Sequence, residues 1–233
     1  LRFHLYHDVH AQLGSIDTAE RGHGFTVMSE QSSAGRRFSL RLPGRTCEPI
    51  TLWDNPVLRT TTAPVTVFDK NIRRLVDRLF ETMYAIETGV GLAATQIGRT
   101  ERVFVFDCHD GVVGHMINPV VEPLGSEVQV GWEGCLSLPG VSAETSRLNR
   151  CRVTGQDADG NDIAYDGEGL RARCFQHELD HLNGVLYIDH QPDGVRTRLE
   201  QEMRNSEWYG NLSLDPNTAL YKRSQAGDDD EDS

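Results

Sequence analysis

The sequence has no long apolar run, and its negative mean hydropathy leaves no stretch that reads as a membrane span. A disulfide framework is missing as well. The five cysteines, Cys47, Cys108, Cys135, Cys151 and Cys174, are odd in number and widely spaced. The opening "LRFHLYHDVH" is too polar for the core of a secretory signal. Small buried thiols are the default for such cysteines, but Cys135 sits in a polar loop beside glycine and needs another explanation. Excess positive charge is also absent. The net charge is −12, and five of those charges come from the terminal "DDDEDS". A broad basic surface is thereby excluded, so neither direct nucleic-acid binding nor membrane binding is expected. There is no internal repeat and no βαβ alternation. At 38% hydrophobic residues, the 233-residue chain suits a medium-sized domain with tails better than one large domain.

Residues 1–46 mix Ser, Gly, Arg and His without a sustained apolar period, and read as a disordered or extension segment. The first methionine is Met28, so 1–27 can lie upstream of the true start. Residues 31–46, rich in Arg and Ser and free of acids, also fit an organelle transit peptide. Order is expected from "PITLWDNPVLR" to about residue 210, and 211–233 are expected to form a disordered acidic tail.

Within that domain, apolar residues at Ile72, Leu75, Val76, Leu79, Phe80, Met83 and Tyr84 predict an amphipathic helix, capped by Asp69 and stopped by Gly89. "RVFVFD" (102–107) predicts a strand, "MINPVV" and "EVQVGW" shorter strands, and "CRVTGQDADGNDIAYDG" a hairpin turning at Asp159-Gly160. "EGLRARCFQHELDHLNG" follows as a helix ending at Gly184, and "VRTRLEQEMRNSEWYG" as a further helix. Strands followed by helices predict an α+β domain.

The segment "CFQHELDHLNG" carries the chemistry. Positions i and i+4 share one helix face, so His177 and His181 can offer two imidazole nitrogens to one ion. Glu178 lies about one step around the helix, within reach of a water beside such an ion. A charged, solvated helix face is the bland alternative. A catalytic metal site normally takes three protein ligands, so a third is needed. One metalloprotease spacing would place a histidine where Tyr187 stands. Glu200 or Glu202 would serve a glutamate-type site. Cys174, one turn before His177, gives poor tetrahedral spread. Cys135, in "GWEGCLSLPG", is the best remaining candidate, against the ordinary alternative of a buried cysteine near a turn.

Three separated motifs together resemble peptide deformylase, over roughly residues 47 to 192. They are "GVGLAATQ" (89–96), "EGCLS" (133–137) and "QHELDHLNG" (176–184). The resemblance implies antiparallel sheets packed around a central metal-binding helix, with 47–210 as the catalytic domain. It implies a hydrolase that removes the formyl group from the N-terminal formyl-methionine of new polypeptides and releases formate. Cys135, His177 and His181 would hold one divalent ion, expected to be Fe2+, with Zn2+, Ni2+ or Co2+ able to substitute. Glu178 would be the general base, and the Gln96 amide and Leu136 N–H would stabilise the oxyanion. Gly91 would let the main chain approach an extended peptide, and Gly134 would keep the metal pocket open. Val90, Cys174 and Phe175 would receive the methionine side chain. Arg147 would support Glu133. The expected partners are formyl-Met nascent peptides, with the ribosome as a further partner, and the expected location is the cytoplasm.

Overall fold

The computed structural model describes residues 26–27, 47–86, 88–218 and 220–221. The expectations for the rest of 1–46 and for 222–233 lie outside the described residues. Ten strands and three α-helices are described. They are β1 (Thr26–Val27), β2 (Ile50–Thr51), α1 (Lys70–Tyr84), β3 (Gly91–Ala93), β4 (Val103–Asp107), β5 (Val113–Pro123), β6 (Val128–Cys135), β7 (Leu138–Leu148), β8 (Arg150–Gln156), β9 (Asp162–Glu168), α2 (Leu170–Leu182), α3 (Asp193–Arg204) and β10 (Ser213–Leu214).

One sheet runs in the order β1-β9-β8-β5-β4-β3, with every neighbour antiparallel except β1 and β9. β6 and β7 form a separate hairpin, and β10 pairs with β2. α2 packs against strands of the main sheet and against β7, which places it at the centre of the α+β fold.

α1 forms as its spacing predicts. Asp69 accepts from the Asn71 and Ile72 amides at 2.8 and 3.3 Å, and Ile72, Leu75, Val76, Leu79 and Met83 turn inward. The helix ends at Tyr84, short of Gly89. A Cβ on Gly89 would stand 2.7 Å from the Met83 carbonyl, so this glycine permits a close approach and is not a helix stop. β4 shows why a strand that alternates in sequence is buried on both faces. Val103 and Val105 join the α1 side of the core, while Phe104 and Phe106 meet Phe175 of α2. Phe175 is thereby committed to the core, edge-on to Phe106 at 4.9 Å between ring centroids.

α2 ends at Leu182, with Asn183 as its C-cap and Gly184 next in the left-handed region (φ 73°), as expected. α3 stops at Arg204, before the end of the predicted run, because Trp208 turns into the core and donates to the Pro139 carbonyl at 3.0 Å. The described part of the expected tail is ordered. β10 pairs Ser213 with Thr51 and Leu214 with Ile50, and Tyr221 is buried. A polar stretch reads as a tail, but Leu214 and Tyr221 each bury an apolar face against cores made by residues far away in sequence.

Candidate metal centre

Three elements converge beneath the β6–β7 hairpin. β6 delivers Cys135 at its last position, α2 delivers His177, Glu178 and His181, and a 3-10 turn over Ala94–Ile97, directly after β3, delivers Gln96. The Cys135, His177 and His181 ligand atoms all lie within 4.8 Å of one another. Cys135 Sγ is 3.2 Å from His181 Nε2. Bonds of about 2.0–2.3 Å from nitrogen and sulfur to a single ion span such a group. All three residues are buried, as is Glu178.

The hydrogen-bonding pattern fits a cation site. His177 Nε2, His181 Nδ1 and both carboxylate oxygens of Glu178 are buried with no hydrogen-bond partner. Orphaned groups of this kind are rare in folded proteins; His177 Nε2 and the Glu178 oxygens call for an ion or ordered solvent, while His181 turns Nε2, not Nδ1, towards Cys135. Burial pushes the Glu178 carboxyl up to about 8 and the Cys135 thiol up to about 11, and lowers both histidines. A cation between them would offset those shifts for the acid and the thiol and would select the neutral imidazoles. The residues therefore fit one divalent ion of borderline softness.

Around this point the charges are paired with care. Glu133, two residues before Cys135, fills all four of its acceptor positions. Its Oε1 accepts from Arg147 Nε at 2.8 Å and Arg173 Nη1 at 2.7 Å. Its Oε2 accepts from Arg147 Nη2 at 3.0 Å and from His177 Nδ1 at 2.9 Å. Burial alone would raise this carboxyl, but the bonds from His177 and Arg147 hold it well below the usual carboxylate range. Arg147 also reaches Asp180 at 2.6 Å. The expected Arg147–Glu133 pair is present. Arg173 was not singled out from sequence, although its place four residues before His177 is a readable signal, since both side chains then leave one face of α2.

Gln96 turns its amide inward. Its Oε1 accepts from the Ala93 N–H at 2.9 Å, which leaves Nε2 facing Cys135 Sγ at 3.5 Å and Ser137 Oγ at 3.4 Å. Gly91 makes room for the acid. A Cβ there would come within 2.5 Å of Glu178 Oε1 and 2.8 Å of Cys174 Sγ. Val90 and Cys174 are buried together, with the Cys174 thiol 3.4 Å from the Val90 carbonyl. Gly134, Cys135 and Leu136 line a cavity of about 60 Å³, with Thr88, Leu220 and Tyr221 on its other sides.

The other third-ligand candidates lie elsewhere. Tyr187 packs flat against His177 and donates to the Val141 carbonyl at 3.0 Å. Glu200 pairs with Arg196 at 3.1 Å and Glu202 with Arg198 at 3.7 Å, both on α3.

A buried thiol, two imidazoles and a partnerless carboxylate, held by a hairpin and a central helix, define a metal-dependent hydrolase. The family model for polypeptide deformylase matches residues 47–197. The chain is 45% identical to peptide deformylase 1 of Corynebacterium efficiens over 167 residues, covering 70% of this chain and 98% of that one. It is 49% identical to the peptide deformylase of Acidothermus cellulolyticus over 162 residues, covering 70% and 88%. Among solved structures, the Thermotoga maritima peptide deformylase is 42% identical with a TM-score of 0.60, covering 64% of this chain and 100% of that one. The chain belongs to the polypeptide deformylase family.

Proposed function

We infer that this enzyme hydrolyses the formyl group from the N-terminal methionine of newly made polypeptides. The observation that carries this reading is the partnerless Glu178 carboxylate beside the Cys135–His177–His181 cluster, on the fold of a deformylase. Cys135, His177 and His181 would hold one divalent ion, which when bound would supply Lewis acidity toward the formyl oxygen and toward water.

Glu178 takes a proton from the attacking water and passes it to the leaving amine. Water and the formyl amide thus become formate and a free N-terminus. Gln96 Nε2 and the Leu136 N–H donate to the oxygen as its charge develops. β3 is the end strand of its sheet among the described residues, so the main chain near Gly91 can pair with an extended substrate. Val90, Cys174 and Gly134 shape the pocket for the methionine side chain.

Fe2+ is the ion we assign, with Zn2+, Ni2+ or Co2+ able to replace it, since one thiolate and two imidazoles accept several first-row ions. A substrate made by translation supports a location in the cytoplasm, with the ribosome as a further partner. No helix among the described residues is long and apolar enough to cross a membrane. We assign the catalytic domain to 47–210, with the segment to Tyr221 packed on it.

Freshly metallated protein is expected to release formate from a formyl-Met-Ala peptide. Glu178→Gln should keep its metal and lose roughly 10²- to 10⁴-fold in rate. A fully loaded wild-type protein that releases no formate overturns the assignment.

A further inference from the structure

The match to the family ends at residue 197, yet the chain returns to the metal centre beyond it. β10 pairs with β2, and the turn that follows is closed by Asp215, whose side chain accepts from the Asn217 N–H at 2.8 Å and whose carbonyl accepts from the Thr218 N–H at 3.1 Å. This brings Tyr221 under the tip of the β6–β7 hairpin, where its phenol donates to the Leu136 carbonyl at 2.8 Å. Tyr221 is 7% exposed and belongs to the same apolar cluster as Leu136 and Ile86. With Leu220 it lines the cavity that Cys135 and Leu136 also line.

The turn between β6 and β7 is held from several sides. The Trp53 N–H donates to the Ser137 carbonyl at 3.1 Å, and Gln96 Nε2 approaches Ser137 Oγ at 3.4 Å. Tyr221 supplies the bond at Leu136 itself. A buried carbonyl deprived of its donor is free energy lost from the native turn, and the turn relaxes to recover a partner.

We propose that Tyr221 is a positioning residue for deformylation: by holding the Leu136–Ser137 peptide through its carbonyl it restrains the Leu136 backbone torsions, and with them the turn that presents the Leu136 N–H to the reacting oxygen. This rests on the reading of Leu136 as an oxyanion donor. The C-terminal segment then completes an active site whose other members all lie within the family match.

The test uses the full chain with Tyr221→Phe, which removes the hydroxyl and keeps the ring. kcat for a formyl-Met-Ala peptide should fall roughly two- to tenfold, the range for one neutral hydrogen bond, while KM stays within about twofold. Bound metal should be unchanged, and amide hydrogen exchange over 134–138 in the metal-free protein should quicken. Unchanged kcat or unchanged exchange overturns the proposal. So does a fall in kcat that only tracks lost metal, because that is a structural effect. Gln96→Ala is measured alongside. If it and Glu178→Gln both leave formate release intact, the reading of the whole site fails, whereas a silent Tyr221→Phe beside two damaged variants sinks the Tyr221 role alone.

Discussion

Glu133 Oε2 accepts a hydrogen bond from His177 Nδ1 at 2.9 Å, and that contact decides which imidazole nitrogen is left for the metal centre. The bonds from His177 and Arg147 keep Glu133 ionised, so it can only accept, and Nδ1 must carry the proton. Nε2 is then unprotonated, and it is the orphaned atom. The pairing also ties the hairpin to the helix, because Glu133 belongs to β6 and His177 to α2.

Removing Arg173 tests that arrangement. Arg173→Met keeps most of the volume but takes one of four donors from a fully buried carboxylate. Breaking such a pair from one side should destabilise the fold by about 3–5 kcal/mol and loosen the metal as Glu133 seeks another partner. Denaturant unfolding and chelator competition measure the two effects. A variant matching wild type in both means that Arg147 alone suffices.

Cys135→Ser asks whether the thiolate is the third ligand. A serine hydroxyl does not ionise near neutral pH and is a poor partner for a borderline-soft ion. Metal retained after dialysis is expected to fall from about one ion per chain to less than about a tenth. Elemental analysis reads this directly, and stoichiometric metal in a folded variant rejects Cys135.

Gly91→Ala places a methyl group against Glu178 and Cys174 at distances no side chain tolerates. The expected cost is about 1–3 kcal/mol of stability from overpacking, with a fall in formate release larger than any loss of metal. Thermal melts and assays at saturating metal separate these. Full activity would mean that the acid can move without penalty.

His115 supplies a pH dependence remote from the metal centre. Burial lowers its pKa below the ordinary 6.5, and its Nε2 accepts from the Ala158 N–H at 3.0 Å, which requires that nitrogen to be unprotonated. As pH falls below 6.5 the unfolded chain takes up a proton that the folded chain resists. The stabilisation is therefore fully present above that value and is lost as pH drops towards the folded pKa. The difference in melting temperature between pH 7.5 and 5.5 should shrink in His115→Gln. An unchanged difference assigns the pH response to other groups.

Much of this site was legible in the sequence because its signals are local. Histidines four apart, a capped amphipathic helix and a hairpin around Asp-Gly each follow from rules spanning fewer than about twenty residues. The missed features depend on long-range contacts. Gly89 looked like a helix stop, although the helix ends earlier and the glycine answers a clash with Met83. Tyr221 and Leu214 sat in a polar stretch with no period, and only pairing with Ile50 and packing beneath Leu136 give them a place. Arg173 shares a face of α2 with His177, a signal the sequence carries, but nothing near it in sequence announces that Glu133 lies across the core.

The position of β3 at the end of its sheet has a wider consequence. A strand edge offers the amide and carbonyl groups that every polypeptide can answer, whatever its side chains. An enzyme that grips its substrate there has no need to read the residues that follow the first. One short strand edge would then let a single catalyst accept chains whose later side chains differ.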